Sequence, residues 1–321
     1  MENKRTISVT EGKKERVDMY LKASAGLSRG QAQKLIDAGS VFLNGRTVKN
    51  YHTKVKGGDL IEYTLQLPEP LELKPADIDL DIIHEDDDII VINKHAGLVV
   101  HPAPGHYDDT LVNALVGKYI NKDDFKFTPQ RLGVVHRLDK DTSGVMVVAK
   151  SDKMRLALSA LFKKKDVKKI YNCLVHGNVE SEGKLATTID RDARDRKKFT
   201  ARSMGGKDAQ TIFKPLENFY YSALLEVKIL TGRTHQIRVH LQYMKHEVMG
   251  DPVYGDKNKD IQLVAYLGYD KKSADDLLPR QMLHARELEF VNPVTGKLMH
   301  FEAPLPADFM KILGMLRKKA S

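Results

Sequence analysis

One short stretch of the chain surrounds a carboxylate with groups that could support chemistry. It runs from His136 to Gly144 and reads His-Arg-Leu-Asp-Lys-Asp-Thr-Ser-Gly, with the central carboxylate at Asp139. An ionised carboxylate can attack carbon as a nucleophile, or it can stabilise positive charge that develops in a transition state. Asp139 is therefore the first candidate for a catalytic residue.

Two simpler interpretations compete with this one. Asp, Thr, Ser and Gly are turn residues in any protein, so the run could be a surface turn. Asp139, Asp141, Ser143 and Gly144 also occupy the first, third, fifth and sixth positions of a calcium-binding loop. The twelfth position of that loop needs a bidentate Glu and holds Lys150 instead. The calcium interpretation therefore fails.

The full nine-residue run closely resembles the active-site signature of the RluA/RluD family of RNA pseudouridine synthases. The segment from Leu230 to Leu241, which contains Thr-Gly-Arg-Thr-His-Gln-Ile-Arg, resembles a second motif of that family. The resemblance implies an enzyme that isomerises uridine to pseudouridine in RNA, with Asp139 as the catalytic residue. The segment from Lys94 to Pro102 resembles the first motif of the family, with His95 where the family normally has Pro.

The same resemblance implies further site residues. Arg137 would enter the space that a flipped-out uridine leaves. Tyr171, in the segment from Lys169 to Gly177, would stack on the flipped base, although an ordinary strand aromatic fits that segment too. Leu283, in the segment from Gln281 to Ala285, would line the site with an apolar side chain, and core packing is the alternative.

The chemistry requires few parts. The N-glycosidic bond breaks, the uracil turns, and a carbon–carbon bond forms to the same sugar, so we expect no cofactor. A guanidinium beside Asp139 would hold the carboxylate ionised. Arg233 is the candidate, because it lies between a predicted strand, residues 223–230, and a helix predicted to begin at Thr234. His235 and His240 lack the spacing of a zinc pair on one helical face, so we expect no metal.

The elements that position these residues predict an α+β fold. An apolar run, residues 89–92, is typical of a buried strand, and residues 112–119 have helical periodicity. Strands and helices alternate irregularly, which favours a mostly antiparallel sheet. The resemblance implies the same architecture, a central mixed sheet with flanking helices and loops, over residues 79–321.

A small α+β module precedes that domain. Ser28 and Gln31 have the spacing of a helix capping box, and Asn44–Gly45 is typical of a tight hairpin turn. Residues 14–64 are similar to the S4-type RNA-binding domain. Its basic side chains could contact phosphate oxygens; the candidates are Arg16, Arg29, Lys34 and Lys49. A proline-containing linker is expected over residues 65–78.

Composition is consistent with an RNA partner. The 321 residues carry a net charge of +9, which favours a polyanion. The single cysteine, Cys173, excludes an intramolecular disulfide and is expected to be buried. No apolar run has the length of a membrane span and no signal-peptide core follows the N-terminus, so we expect a cytoplasmic monomer without membrane contact.

Large-subunit ribosomal RNA is the expected substrate because of the S4-type module, and transfer RNA is the alternative. A non-catalytic RNA-binding or ribosome-assembly protein is a second hypothesis, against which the combination of Asp139, Tyr171 and Arg233 argues. A nucleoside hydrolase would need a second carboxylate, for which Asp141 is the near candidate.

Overall fold

The computed structural model describes residues 3–10, 14–65, 73–119, 132–195 and 198–320. The chain forms two compact units, Met1–Leu71 and Glu72–Ser321. Residues 66–72 of the predicted linker lie outside the described residues, and residues 73–78 contain no helix or strand. The exact domain and linker boundaries stay predictions.

The first unit is a small α+β domain. In the described ranges its elements are β1 (Asn3–Ser8), β2 (Glu15–Arg16), α1 (Val17–Ala25), α2 (Arg29–Asp37), β3 (Val41–Leu43), β4 (Arg46–Thr47), β5 (Lys54–Val55) and β6 (Leu60–Leu65). Four strands form an antiparallel sheet in the order β1-β6-β3-β4, and β2 pairs with β5. Strand β1 precedes the predicted start of the module. It was missed because Ile7 is the only apolar residue among residues 3–8, so no alternation is visible.

Two local predictions in this unit are confirmed. The Ser28 hydroxyl accepts from the Gln31 N–H at 3.2 Å, and the Gln31 side-chain oxygen accepts from the Ser28 N–H at 2.8 Å, which completes the capping box. Asn44 and Gly45 join β3 to β4 with φ of 50° and 77°. A tight hairpin turn needs this left-handed backbone at both central positions.

The second unit contains the remaining elements. In chain order they are β7 (Ile82–Glu85), β8 (Ile89–Lys94), α3 (Leu111–Tyr119), β9 (Ser143–Ala149), α4 (Asp152–Lys164), β10 (Val167–His176), β11 (Gly183–Arg191), β12 (Phe199–Arg202), β13 (Lys207–Phe219), β14 (Ser222–Ile229), α5 (Gln236–Tyr243), α6 (Lys257–Tyr266), a 3-10 turn (Lys271–Ser273), α7 (Ala274–Leu277), β15 (Leu283–Val291), β16 (Leu298–Glu302) and α8 (Ala307–Ala320).

One mixed sheet organises this unit. Its order is β12-β11-β13-β14-β10-β15-β9-β8-β7, with β16 added beside β15. Strands β9 and β15 pair in parallel, whereas the other pairs between strands of this sheet are antiparallel. The predicted α+β class with a central mixed, mostly antiparallel sheet is confirmed.

Each face of the sheet is covered by helices, because successive side chains of a strand point to opposite faces. Cys173 and Val175 of β10 belong to a core that includes Leu158 of α4. Leu174, between them, belongs to a second core that includes residues of α6, α7 and α8. The predicted burial of Cys173 is confirmed, and burial raises the pKa of its thiol. Among the described helices, none is long and apolar enough to cross a bilayer.

Candidate active site

The segment that leads to Asp139 alternates between the core and a cleft. The His136 ring stacks on Phe162, with centroids 4.6 Å apart, and its Nε2 accepts the Val147 N–H at 3.1 Å. Leu138 is buried in the core. Arg137 is exposed, and Asp139 keeps 19% of its side chain accessible. Arg137 and Asp139 are thus the more accessible side chains of this segment that line the cleft, while His136 and Leu138 anchor it.

Two buried cations hold the loop that follows Asp139. Lys94 Nζ donates to the carbonyl oxygens of His95, Leu98 and Lys140, at 2.8–2.9 Å. Burial lowers the pKa of Lys94 to about 7, and the negative charges of Asp141 and Asp139 partly oppose that effect. Arg280 Nη1 donates to the Asp141 carbonyl at 3.0 Å. The segment from Lys94 to Pro102 therefore supports the loop that follows Asp139 and is not assigned a direct role in the chemistry.

Gly144 brings the end of the Asp139 segment against the last long strand, β15. It is in register with Ala285 in the parallel pair of β9 and β15. Its φ is 119°, and a Cβ atom there would lie 2.1 Å from the Ala285 carbonyl oxygen. Only glycine fits this close backbone approach, which explains why the Thr-Ser-Gly run ends as it does.

Arg238 is the ion-pair partner of Asp139. Its Nη1 lies 3.1 Å from Asp139 Oδ2, and its Nε and Nη2 contact the two carboxylate oxygens of Asp251 at 2.6 and 2.7 Å. The prediction that Arg233 holds Asp139 is wrong. Arg233 Nε donates to the Asp208 carbonyl at 2.9 Å.

The start of helix α5 explains this correction. The helix begins at Gln236 and not at Thr234, because His235 has a left-handed backbone with φ of 55°. Arg233 therefore lies in the loop before the helix. Arg238 lies in the first turn, where side chains lean back toward the helix N-terminus. Nothing in the spacing marked Arg238 as buried; a buried guanidinium with two carboxylate partners becomes recognisable only once the helix is placed.

His235 faces the other oxygen of the carboxylate. Its Nε2 lies 3.9 Å from Asp139 Oδ1, and its Nδ1 lies 2.9 Å from the Tyr254 hydroxyl. Burial lowers the pKa of His235, and the negative charge of Asp139 partly opposes that effect. His240 is separate, because its two ring nitrogens contact the hydroxyls of Thr211 and Thr187 at 2.8 and 3.0 Å.

A cleft of about 490 Å³ brings the predicted residues of this unit together. Its lining includes Arg137, Asp139, Tyr171, Arg233 and Leu283. Tyr171 is 8% exposed, and burial, with a smaller effect from the charge of Asp139, raises the pKa of its hydroxyl. The phenol is therefore protonated at neutral pH and can act as a hydrogen-bond donor. The arrangement places one carboxylate, one phenol and three guanidinium groups, those of Arg137, Arg233 and Arg238, around a space that can admit a base.

In the first unit, the predicted phosphate-binding residues divide into two groups. Arg16 and Arg29 both contact Asp18, whose side chain is fully buried, at 2.8 and 3.2 Å. Lys34 and Lys49 are exposed. Asp18 was missed in the sequence. The available signal was an acidic residue on the helix face that Val17 and Leu21 share.

Comparisons with known proteins identify the family. Residues 88–243 match the model described as RNA pseudouridylate synthase, and residues 15–61 match the S4 domain. The uncharacterised RNA pseudouridine synthase YlyB of Bacillus subtilis is 40% identical over 96% of this chain and 96% of its own length. The ribosomal large subunit pseudouridine synthase D of Xanthomonas campestris is 40% identical over 92% of this chain and 86% of its own.

A solved structure agrees with these relatives. Human RNA pseudouridylate synthase domain containing 4 is 29% identical, with a TM-score of 0.59 over 74% of this chain and 93% of that one. The chain belongs to the RNA pseudouridine synthases and carries an N-terminal S4 domain. The resemblance stated from the sequence motifs is confirmed, and with it the classification as an RNA-modifying isomerase.

Proposed function

We propose that this enzyme converts uridines of large-subunit ribosomal RNA to pseudouridine, with Asp139 as the catalytic carboxylate. The observation that carries the proposal is the position of Asp139 in the cleft, with one oxygen held by Arg238 and the other facing the open space beside His235. The ribosomal substrate is supported by the name of the Xanthomonas campestris relative, which resembles this chain over most of its length. A cytoplasmic location belongs to the same proposal.

The reaction is an isomerisation that needs one carboxylate. The bond between uracil N1 and the sugar C1′ breaks, the uracil turns, C5 bonds to C1′, and the proton on C5 is lost while N1 gains one. Asp139 assists the first step as a nucleophile or by stabilising positive charge. Glycosidases need a second carboxylate to activate water. Here the leaving base returns to the sugar, so the hydrolytic partner is dispensable.

The remaining cleft residues fit the handling of a flipped nucleotide. A uridine must leave its stack before its glycosidic bond is accessible. Arg137 is exposed at the edge of the cleft and is suited to occupy the vacated space. The Tyr171 ring can stack on the base, and its protonated hydroxyl can donate a hydrogen bond or a proton. Arg233, which lines the same cleft, is suited to contact a phosphate.

Affinity for RNA is assigned mainly to phosphate contacts. The net charge of +9 favours a polyanion. In the S4 domain, Lys34 and Lys49 are exposed, and Arg16 and Arg29 are anchored on one side by Asp18. Such contacts orient the RNA but do not read its sequence.

Release of tritium from RNA labelled at uridine C5 tests the proposed reaction and the proposed kind of RNA, since bonding at C5 displaces that hydrogen. The full chain is incubated with transcripts of large-subunit RNA, small-subunit RNA and transfer RNA. We expect release from the large-subunit transcript and little from the others. Release from transfer RNA alone would contradict the ribosomal substrate, and no release from any RNA would favour the non-catalytic hypothesis.

Asp139→Asn identifies the catalytic group, because it removes the charge and keeps the shape. We expect release to fall by at least ~10³-fold, in keeping with loss of a covalent or charge-stabilising catalyst, with RNA affinity nearly retained because phosphate contacts dominate it. Asp141→Asn is the matched control two residues away and should keep most of the activity. Substantial turnover by Asp139→Asn would rule out this residue assignment.

A further inference from the structure

The segment from Asp251 to Tyr254 lies directly behind the Asp139 site, although no feature of the sequence drew attention to it. Asp251 has no exposed side-chain surface. Its two oxygens accept from Arg238 Nε and Nη2, and Oδ1 also accepts the backbone N–H groups of Val253 and Tyr254, both at 2.9 Å. The Asp251 carboxylate is thus held by the turn that contains it and forms a bidentate ion pair with the Arg238 guanidinium.

This bidentate ion pair sets the direction of the remaining guanidinium nitrogen. A guanidinium is planar, so two fixed nitrogens determine where the third one points. That third nitrogen, Nη1, contacts Asp139 Oδ2. The Tyr254 ring lies under the same group, with its centroid 5.0 Å from Arg238 Cζ. Asp251 and Tyr254 therefore define the position of the cation that Asp139 needs.

The Tyr254 hydroxyl connects to the site by a second route. It accepts the Phe199 N–H at 2.9 Å and lies 2.9 Å from His235 Nδ1. A hydroxyl that accepts the Phe199 N–H still has its own proton to donate, and His235 Nδ1 is an acceptor within reach. Burial raises the pKa of Tyr254, so the hydroxyl keeps that proton. When the hydroxyl donates to Nδ1, the imidazole proton resides on Nε2, which lies 3.9 Å from Asp139 Oδ1.

The backbone of His235 supports a role for this arrangement. Its φ of 55° is a left-handed conformation that costs a non-glycine residue roughly 1 kcal/mol or more. The strain is retained beside the reactive carboxylate, where it turns the ring between Tyr254 and Asp139. Burial lowers the pKa of His235, so the ring carries a single proton at neutral pH and its tautomer matters.

We propose that Asp251 and Tyr254 are positioning residues: Asp251 aims Arg238 at one oxygen of Asp139, and Tyr254 sets the His235 tautomer that presents Nε2–H to the other. This inference rests on the proposed catalytic role of Asp139. Asp139 Oδ2 then accepts a hydrogen bond from Arg238, and the His235 ring is directed at Oδ1 from 3.9 Å, without a hydrogen bond to it.

Tyr254→Phe removes the hydroxyl and keeps the ring. We expect the single-turnover rate at saturating RNA to fall by at least ~10-fold, a loss of about one charge-stabilising hydrogen bond, with unchanged RNA affinity. The matched control is Tyr119→Phe, because Tyr119 is equally buried and its hydroxyl donates to Glu85. Equal effects of the two variants on the saturating rate would overturn the positioning role.

Asp251→Asn is combined with Arg238→Lys, because a buried carboxylate also supports folding. If Asp251 acts through Arg238, the Asp251→Asn substitution should slow the wild-type enzyme by at least ~10-fold. The same substitution should slow the Arg238→Lys enzyme by less than about 2-fold. Independent, multiplicative losses in folded proteins would contradict this part of the proposal. Circular dichroism of each variant shows whether it is folded. If the Asp251→Asn protein is unfolded, Tyr254→Phe tests the proposal through His235.

Nitrogen-15 spectra of the histidine rings test the tautomer without reference to activity. The His235 signals are assigned by their absence in His235→Gln. We expect Nε2–H in the wild-type protein and a shift toward Nδ1–H in Tyr254→Phe but not in Tyr119→Phe. Protonated Nδ1 in the wild-type protein would overturn the inference. Activity of Asp139→Asn would instead overturn the proposed catalytic residue and leave the tautomer result standing, so the two failures are distinguishable.

Discussion

Arg238 holds Asp139 from the first turn of α5, with Nη1 3.1 Å from Asp139 Oδ2. The two residues are 99 positions apart in the chain. The guanidinium bridges Asp139 to the buried Asp251, so a single side chain connects the reactive carboxylate to the core of the unit. Arg238 is therefore a structural element as well as the charge that pairs with Asp139.

Arg238→Lys should be far more damaging than Arg233→Lys. Lysine cannot contact both carboxylates through a planar fork, and breaking a buried ion pair costs about 3 kcal/mol or more. If this cost falls on the transition state, saturating turnover drops by roughly 100-fold. Arg233 donates to a carbonyl from the loop, so Arg233→Lys should change KM more than kcat. Steady-state kinetics on both variants check this, and the reverse order of kcat losses would restore Arg233 as the partner.

Removal of residues 1–71 should leave a folded enzyme with weaker RNA binding. The cut follows the boundary between the two compact units, and the catalytic unit retains its own cores. Each lost phosphate contact should make the slope of log affinity against log salt shallower by roughly 0.7 to 0.9, the values for single strands and for duplex DNA. Saturating turnover on a short RNA should change little, because Asp139, Tyr171 and Arg238 lie beyond the cut.

Salt titrations of binding and single-turnover kinetics on the full and shortened proteins measure these effects. An unchanged affinity and salt slope would remove the RNA-binding role of the S4 domain. A collapse of turnover in a folded shortened protein would show that the S4 domain contributes to the active site.

Acid should destabilise the protein through its buried imidazoles, among them those of His240 and His284. Burial lowers the pKa of His240 and of His284 to about 4, from 6.5. Both rings are neutral in the folded state, whereas the unfolded chain takes up protons near pH 6.5. Their contribution to stability is therefore fully present above pH 6.5 and is lost as the pH falls toward 4, at up to about 1.4 kcal/mol per pH unit for each ring.

Urea unfolding at pH 8, 7 and 5 measures this loss. The free energy of unfolding should fall steeply between pH 7 and 5 and change little between pH 8 and 7 as far as these rings are concerned. His240→Gln should make the acid-side slope shallower, since one of the rings that take up a proton on unfolding is gone. An identical slope in that variant would show that His240 does not contribute.

Gly144→Ala should disrupt the parallel pair of β9 and β15. The new Cβ would lie 2.1 Å from the Ala285 carbonyl oxygen, and φ of 119° is unfavourable for alanine. We expect a loss of several kcal/mol, on the order of ~3, with activity lost in parallel. Gly314→Ala, in α8 with no atom near the added carbon, is the control and should be neutral or stabilising by about 1 kcal/mol. Thermal unfolding of both variants measures the change in Tm. Equal changes in Tm for Gly144→Ala and Gly314→Ala would contradict the expected clash at Gly144.

The features that the sequence determined by itself depend on neighbouring residues or on a continuous motif. The Ser28–Gln31 capping box and the Asn44–Gly45 turn were predictable because each is closed by contacts within a few residues. Asp139 was recognisable because its motif is continuous from His136 to Gly144. The family, the α+β class and the S4 domain follow from such motifs and from the irregular alternation of helices and strands.

The tertiary structure alone decided which groups surround Asp139. The left-handed backbone at His235 delays the start of α5, and this places Arg238 and not Arg233 against the carboxylate. Asp251 and Tyr254 complete the arrangement from a turn that carries no sequence signal, because burial and hydrogen bonding distinguish them and residue type does not. Contacts of this kind join distant parts of the chain, so their geometry depends on how the sheet and α5 pack and not on the spacing of residues along the chain.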